Sequence, residues 1–202
     1  LRFKTKGMEP LTTEQKIIKA ASKLFTQKGY AATKTREIAE EADINLALLN
    51  YYFGSKERLY KEVVKDKLWM LLEVMIPILS DEKVSLEEKV MTIAENYTQL
   101  LLEHEELPIF ILNEWTVNED LFVDITRDAR LFAKPVIEKQ LKENGMKVSV
   151  PDFIANLLSL IMFSFVAKPL IVSSGLVEEG EFANFVNRRK GKIWEWMTKI
   201  NQ

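Results

Sequence analysis

Thr33, Lys34, Thr35 and Arg36 stand in one run, and Asn45, Leu46, Ala47, Asn50, Tyr51, Tyr52 and Lys56 follow shortly after. Hydroxyl, amide, phenol and cationic groups of this kind suit the holding of phosphodiesters and the reading of base edges. Thr33 and Thr35, with the free amides of a helix start between them, are placed to take a backbone phosphate. Lys34 adds a cation at that edge, and the Arg36 guanidinium has the fork that fits a guanine edge. The Asn50 amide can pair with a base, Leu46 and Ala47 can meet thymine methyls, and Tyr51 and Lys56 can reach phosphates. Tyr52 stands between two roles, core packing and contact.

Composition narrows the other chemistry. With no cysteine, the chain has no disulfide, thiolate metal site or cysteine nucleophile, which suits a reducing cytosol. The single histidine, His104, lies among Glu103, Glu105 and Glu106. Consecutive side chains on a helix diverge, so a solvated acidic face is expected there rather than a metal site. The spaced glycines Gly175 and Gly180 lead into Glu181 and Phe182, where a phosphate loop needs Lys and then Ser or Thr. No catalytic residue, metal or cofactor is therefore nominated. A carboxylate-based hydrolase and a helical adaptor or small-molecule binder without DNA binding stand as the alternatives.

Charge is segregated along the chain. The net charge is −2, yet residues 1–60 hold eleven Lys and Arg against seven Asp and Glu, a local +4. The remainder holds 17 against 23, which leaves the basic end as the candidate for contact with a polyanion. The most apolar stretch, Ile154 to Val172, is interrupted by Asn156, Lys168 and Pro169 and reads as a buried helix rather than a membrane span. Residues 1–7 show no apolar run of signal-peptide length, so a cytoplasmic location is expected.

The elements that must position these residues are helices. Apolar residues recur at three- and four-residue spacing, without sustained two-residue alternation, which predicts an all-α chain of about nine helices. Thr12 and Gln15 can form a capping box for a first helix that carries Ile17, Ala21, Leu24 and Phe25 inward and stops at Lys28-Gly29. A short second helix opens at Thr33 to Thr35 and buries Ile38, Ala39 and Ala42. Asp43 then takes a sharp turn, which Asp tolerates better than most residues. Asn45 caps a third helix that ends near Phe53, and Ser55 caps a long fourth. At a hundred degrees per residue, Asn45, Leu49, Tyr52 and Phe53 fall on one side of the third helix; Leu46, Ala47, Asn50 and Tyr51 fall opposite. A longer helix followed by two short ones across a tight turn is the arrangement that offers its last helix to a DNA major groove.

The runs Thr33 to Ala39, Ala42 to Asn45 and Leu49 to Leu59, with Ala20-Ala21, Leu24-Phe25 and Lys28-Gly29-Tyr30 before them, resemble the TetR/AcrR repressor family. The likeness spans residues 12 to about 60. It implies an all-helical homodimer: an N-terminal three-helix head, placed at 1–58, binds a double-stranded DNA operator, and a C-terminal domain, placed at 59–202, binds a small-molecule effector. It departs from the family at Asp43, where Gly is usual, and at Asn50, where an aromatic is common.

Beyond residue 59 bulky apolar groups abound, and Trp115, Phe132, Phe110 and Phe163 are the candidates to line a pocket for an apolar or amphipathic effector. The last two predicted helices, Pro151 to Ser173 and Glu179 to Ile200, carry wide apolar faces. Leu157, Ile161, Phe165, Val186, Ile193 and Met197 on them are expected to dimerise the chain as a four-helix bundle. The fourth helix, Lys56 to about Ser80, would link head to body, with Pro77 stiffening its exit.

Overall fold

The computed structural model describes residues 10–201, and within them the side chains of residues 121 and 124–133 fall outside the description. Eleven α-helices and one 3-10 turn make up the described residues, which contain no strand. Two compact units divide the chain, the first running to Asp66 and the second from Lys67, so the boundary falls inside one helix.

The first unit is built by its caps. α1 (Thr13–Ala32) starts in the expected capping box: the Gln15 amide donates to the Thr12 hydroxyl at 3.2 Å and the Thr12 amide donates to the Gln15 side chain at 3.0 Å. Ile17, Ala20, Ala21, Leu24 and Phe25 form its buried stripe. Gly29 breaks the helix with φ 78°, a left-handed value that any side chain would strain, and the last turn beyond it is redirected. α2 (Thr35–Glu41) buries Ile38 and Ala39, and α3 (Leu46–Phe53) buries Leu49 and Phe53. Between them Asp43 sits at φ 55°, in the left-handed turn expected of it. Gly54 closes α3 at φ 70°, and the Ser55 hydroxyl accepts the Arg58 amide at 3.1 Å to open α4 (Lys56–Ser80).

The second unit is organised around α5 (Leu86–Glu103), whose buried side chains Leu86, Val90, Ile93, Ala94, Tyr97 and Leu101 form one broad apolar face. Polar pins hold it in place. The Tyr97 hydroxyl donates to the Leu71 carbonyl at 2.8 Å, and burial pushes that phenol well above its ordinary pKa. The buried Lys89 ammonium donates to the Leu79 carbonyl near the end of α4 at 3.0 Å, where helix carbonyls favour a cation; its own desolvation lowers its pKa. Against α5 pack α7 (Glu119–Glu143), α8 (Val150–Val166), α10 (Phe182–Lys190) and α11 (Ile193–Ile200), while α6 (Leu107–Val117) lies on α7 and α8, and α9 (Lys168–Ser173) on α8.

Two expectations change here. Each of the last two predicted helices is divided: α8 ends before Pro169, which becomes an early residue of α9, and Gly191-Lys192 separates α10 from α11. That is why the helices exceed nine. The second correction concerns the apolar faces. Leu157, Ile161, Phe165, Val186, Ile193 and Met197 are all buried within the single chain, because α8, α10 and α11 pack on α5. They form the core of the second unit and are not available to another copy.

Candidate nucleic-acid interface

The geometry of the head follows from a few side chains that satisfy backbone ends. Thr33, expected to face a phosphate, is buried instead, and its hydroxyl donates to the carbonyls of Gly29 at 2.8 Å and Leu24 at 3.3 Å. It secures the broken end of α1. A Thr at a helix boundary reads equally as a cap or a plug in sequence, and only the kink at Gly29 decides it. Glu37 does the capping: its carboxylate accepts the Lys34 amide at 3.0 Å and the Lys28 ammonium at 3.0 Å. The backbone bond from Lys34, and next the bond from Lys28, hold the Glu37 carboxyl below its ordinary pKa. Thr35 is half-buried at the first residue of α2, and Lys34 is exposed beside it.

Arg36 projects into solvent and its Nε donates to Glu40 at 3.3 Å, one turn along the helix. Exposed pairs at this spacing contribute only about 0.2–0.5 kcal/mol, so the guanidinium is easily released to another acceptor. Asn45 does what its position predicts, accepting the Leu48 amide on Oδ1 at 2.8 Å. Its side chain is thereby committed to the start of α3.

α3 divides only partly as its periodicity predicts, since Asn45 and Tyr52, expected on the packed side, are exposed. Leu49 and Phe53 are buried; Leu46, Ala47, Asn50 and Tyr51 are exposed, Tyr51 to 82%. Tyr52 is 38% exposed and meets the Tyr51 ring edge-on at 5.6 Å. No carboxylate stands on α3 or between it and Lys56. Lys56, at the first residue of α4, is half-buried with its ammonium 4.3 Å from the centre of the Tyr30 ring. The result is an exposed plate of apolar, amide and phenol groups with cations at its margins. Such a surface accommodates a polyanion and its stacked bases without charge repulsion.

The candidate effector residues fall differently. Trp115 on α6 is 57% exposed and stacks on Phe122 with centroids 6.1 Å apart and planes within 2°. Phe110 is half-buried with the Lys67 ammonium 5.1 Å from its ring centre. Phe163 is 65% exposed on α8, and Phe132 lies outside the described side chains. Two open hollows stand out among the described residues, and neither includes these four. One lies against Lys16, Lys19, Lys23 and Asp43 in the first unit; the other is bordered by Glu95, Gln99, Glu103 and Asn187 in the second. The acid-rich turn at His104 is not simply solvated, since Glu105 pairs with Lys168 and Glu106 with the buried Lys67 at 3.2 Å. Among the described residues no group of three or more His, Asp or Glu is gathered to hold a metal ion, and no helix is long and apolar enough to cross a membrane.

Residues 17–63, which span this head, match the family described as bacterial regulatory proteins, tetR family. The chain carries a TetR-family N-terminal domain. Similarity to TetR-family relatives extends well past that domain. The chain is 26% identical over 198 residues to "Probable HTH-type transcriptional regulator YttP" of Bacillus subtilis, covering 94% of each chain. It is 27% identical over 177 residues to IcaR of Staphylococcus aureus, the HTH-type negative transcriptional regulator of the biofilm operon icaADBC, covering 83% of this chain and 90% of IcaR. Its fold matches that of the fatty acid degradation regulator FadR from Bacillus halodurans with a TM-score of 0.67 at 14% identity, over 92% of this chain and 96% of that one. The all-helical fold is thus shared with that regulator along nearly the whole length.

Proposed function

We propose that the chain is a sequence-specific DNA-binding transcriptional regulator that represses from a palindromic operator as a homodimer and is released by a small apolar or amphipathic effector. One observation carries this reading: the capped α3 exposes Leu46, Ala47, Asn50 and Tyr51 together, beside Arg36 and Lys56, with no carboxylate on that helix. Repression is supported by the negative regulation named for the similar IcaR. Within this reading Asn50 and Arg36 read bases, Leu46 and Ala47 meet methyl groups, and Thr35, Lys34, Tyr51, Tyr52 and Lys56 hold phosphates. Asn45 and Thr33 act indirectly, as cap and plug.

A two-fold dimer sets two recognition helices about one DNA turn apart, so that a palindrome is read with multiplied affinity. The surface that suits a second copy is the outer face of α8. There Ala155, Ser159 and Phe163 are exposed, and Leu158 and Met162 flank them half-buried. Small residues at Ala155 and Ser159 allow helices to approach closely, and Phe163 supplies an aromatic anchor. Phe163 therefore moves from effector to dimer contact, while Trp115 and Phe110 on α6 remain the effector candidates. Release requires that the effector bind the non-operator state more tightly than the operator-bound one, since equal affinity would shift nothing.

Selection of bound duplexes from a random library, run with the native chain and Tyr51→Ala, tests the reading. An enriched palindrome with half-sites one helical turn apart, lost or weakened by Tyr51→Ala, is expected. No enrichment from folded protein, with and without candidate apolar effectors, would contradict it.

A further inference from the structure

Among the described residues of the first unit, the other paired cations are held by carboxylates: Lys23 by Glu41, Lys28 by Glu37, Arg36 by Glu40, Lys61 by Glu57 and Lys65 by Glu62. Lys56 is held by a ring. Its ammonium lies 4.3 Å from the centre of the Tyr30 ring, and none of the ion pairs among the described residues involves it. The difference has a chemical consequence. A carboxylate partner neutralises a lysine and must be displaced before a phosphate can take its place. An aromatic face attracts the ammonium through its quadrupole, fixes its position and leaves its charge uncompensated.

The ring is itself firmly placed. Gly29, at φ 78°, turns the chain so that Tyr30 lies against the first turn of α4, and the Thr33 hydroxyl holds the Gly29 carbonyl at 2.8 Å. Tyr30 packs on Tyr60 with centroids 4.7 Å apart and on Phe25 at 5.8 Å, while Phe25 and Tyr60 meet edge-on at 4.9 Å. Lys56 and Tyr60 are four residues apart on one helical face, so Tyr30 covers both. The side chain is 39% exposed, more than an aromatic serving only the core would be.

We propose that Tyr30 is a positioning residue for DNA contact, holding the Lys56 ammonium in a fixed place, without a carboxylate partner, for a backbone phosphate. The inference rests on the operator-binding reading above. A lysine otherwise loses considerable rotamer freedom on binding, and the ring removes part of that loss in advance. Phosphate contacts carry no sequence information, so the benefit is the same on every duplex.

The test is a double-mutant cycle on the full-length chain, with affinities measured for a duplex selected by the native chain and for a random-sequence duplex at fixed salt. Tyr30→Leu should weaken both by about threefold. Tyr30→Phe, which keeps the ring, should restore native affinity, and in a Lys56→Gln background Tyr30→Leu should have no further effect. Direct evidence comes from NMR of the free protein. The ring should shift the Lys56 ε-methylene protons upfield in the native chain and in Tyr30→Phe, and the shift should vanish in Tyr30→Leu. A loss that persists undiminished in the Lys56→Gln background, or the absence of a ring-current shift, would overturn the inference while leaving operator binding intact. A native chain that holds no duplex at all would overturn the operator-binding reading and this inference with it.

Discussion

α3 of the head and the pair α10–α11 of the second unit both look, as isolated helices, like surfaces in want of a partner. They resolve in opposite ways. α3 leaves Leu46 and Tyr51 in solvent, whereas Val186, Ile193 and Met197 of the later pair are fully enclosed. The reason lies in what each helix meets. α3 has eight residues and buries only Leu49 and Phe53, which leaves the rest of its circumference open. α10 and α11 both pack on α5 of the same chain, and that contact covers their apolar faces. An amphipathic pattern thus states that a face will be covered; whether the cover belongs to the same chain depends on elements distant in sequence.

The sharpest way to break that contrast is to charge the face assigned to the second copy. Phe163→Glu is expected to yield a folded monomer by sedimentation and to weaken operator binding by about a hundredfold or more, the factor lost with bivalency. A dimer of unchanged strength would return the outer face of α8 to solvent. Next in size, Leu157→Ala on the inner face of the same helix should cost about 2–5 kcal/mol in denaturant unfolding, with no change in the dimer dissociation constant per folded chain. If it altered dimerisation without altering stability, the division of α8 into two faces would be wrong.

Smaller effects test the head. Asn45→Ala removes the bond to the Leu48 amide and should cost about 1 kcal/mol of stability by thermal or chemical unfolding, with base preference unchanged. A change in the selected sequence would make Asn45 a reader rather than a cap. The smallest concerns pH. The Glu37 carboxyl, held below 4.5 by its bonds to the Lys34 amide and Lys28, contributes stability that is fully present above that value and is lost as pH falls through its lower folded-state value. Glu37→Gln should therefore reduce the acid-side slope of stability below pH 4.5 and leave the slope at neutral pH untouched. An unchanged acid slope would mean that the native and unfolded carboxyls titrate alike.

Local chemistry was legible in the sequence wherever a few adjacent residues settle it. The Thr12–Gln15 box, the left-handed Asp43, the Asn45 cap, the stop at Gly29 and the two sides of α3 all depend on neighbours within one or two turns. Long-range packing was not. The Thr33 hydroxyl suits a phosphate by its type and position, yet the Gly29 kink turns it inward to the carbonyls it serves. The Tyr30–Lys56 contact joins residues 26 apart through that same kink, and no periodicity announces it. The apolar stripes of α8, α10 and α11 are legible as faces that need a cover, but their sequence suggests a second copy, and nothing in it points to α5 as the helix that buries them.

The central claim, that two copies of the exposed α3 face read one duplex, is tested most directly by titrating the native chain onto its selected duplex and onto the same duplex with one half-site scrambled. Two chains per duplex, with a large loss of affinity on the scrambled duplex and equal loss whichever half is altered, is the predicted result. One chain per duplex, or indifference to the scrambled half, would contradict it.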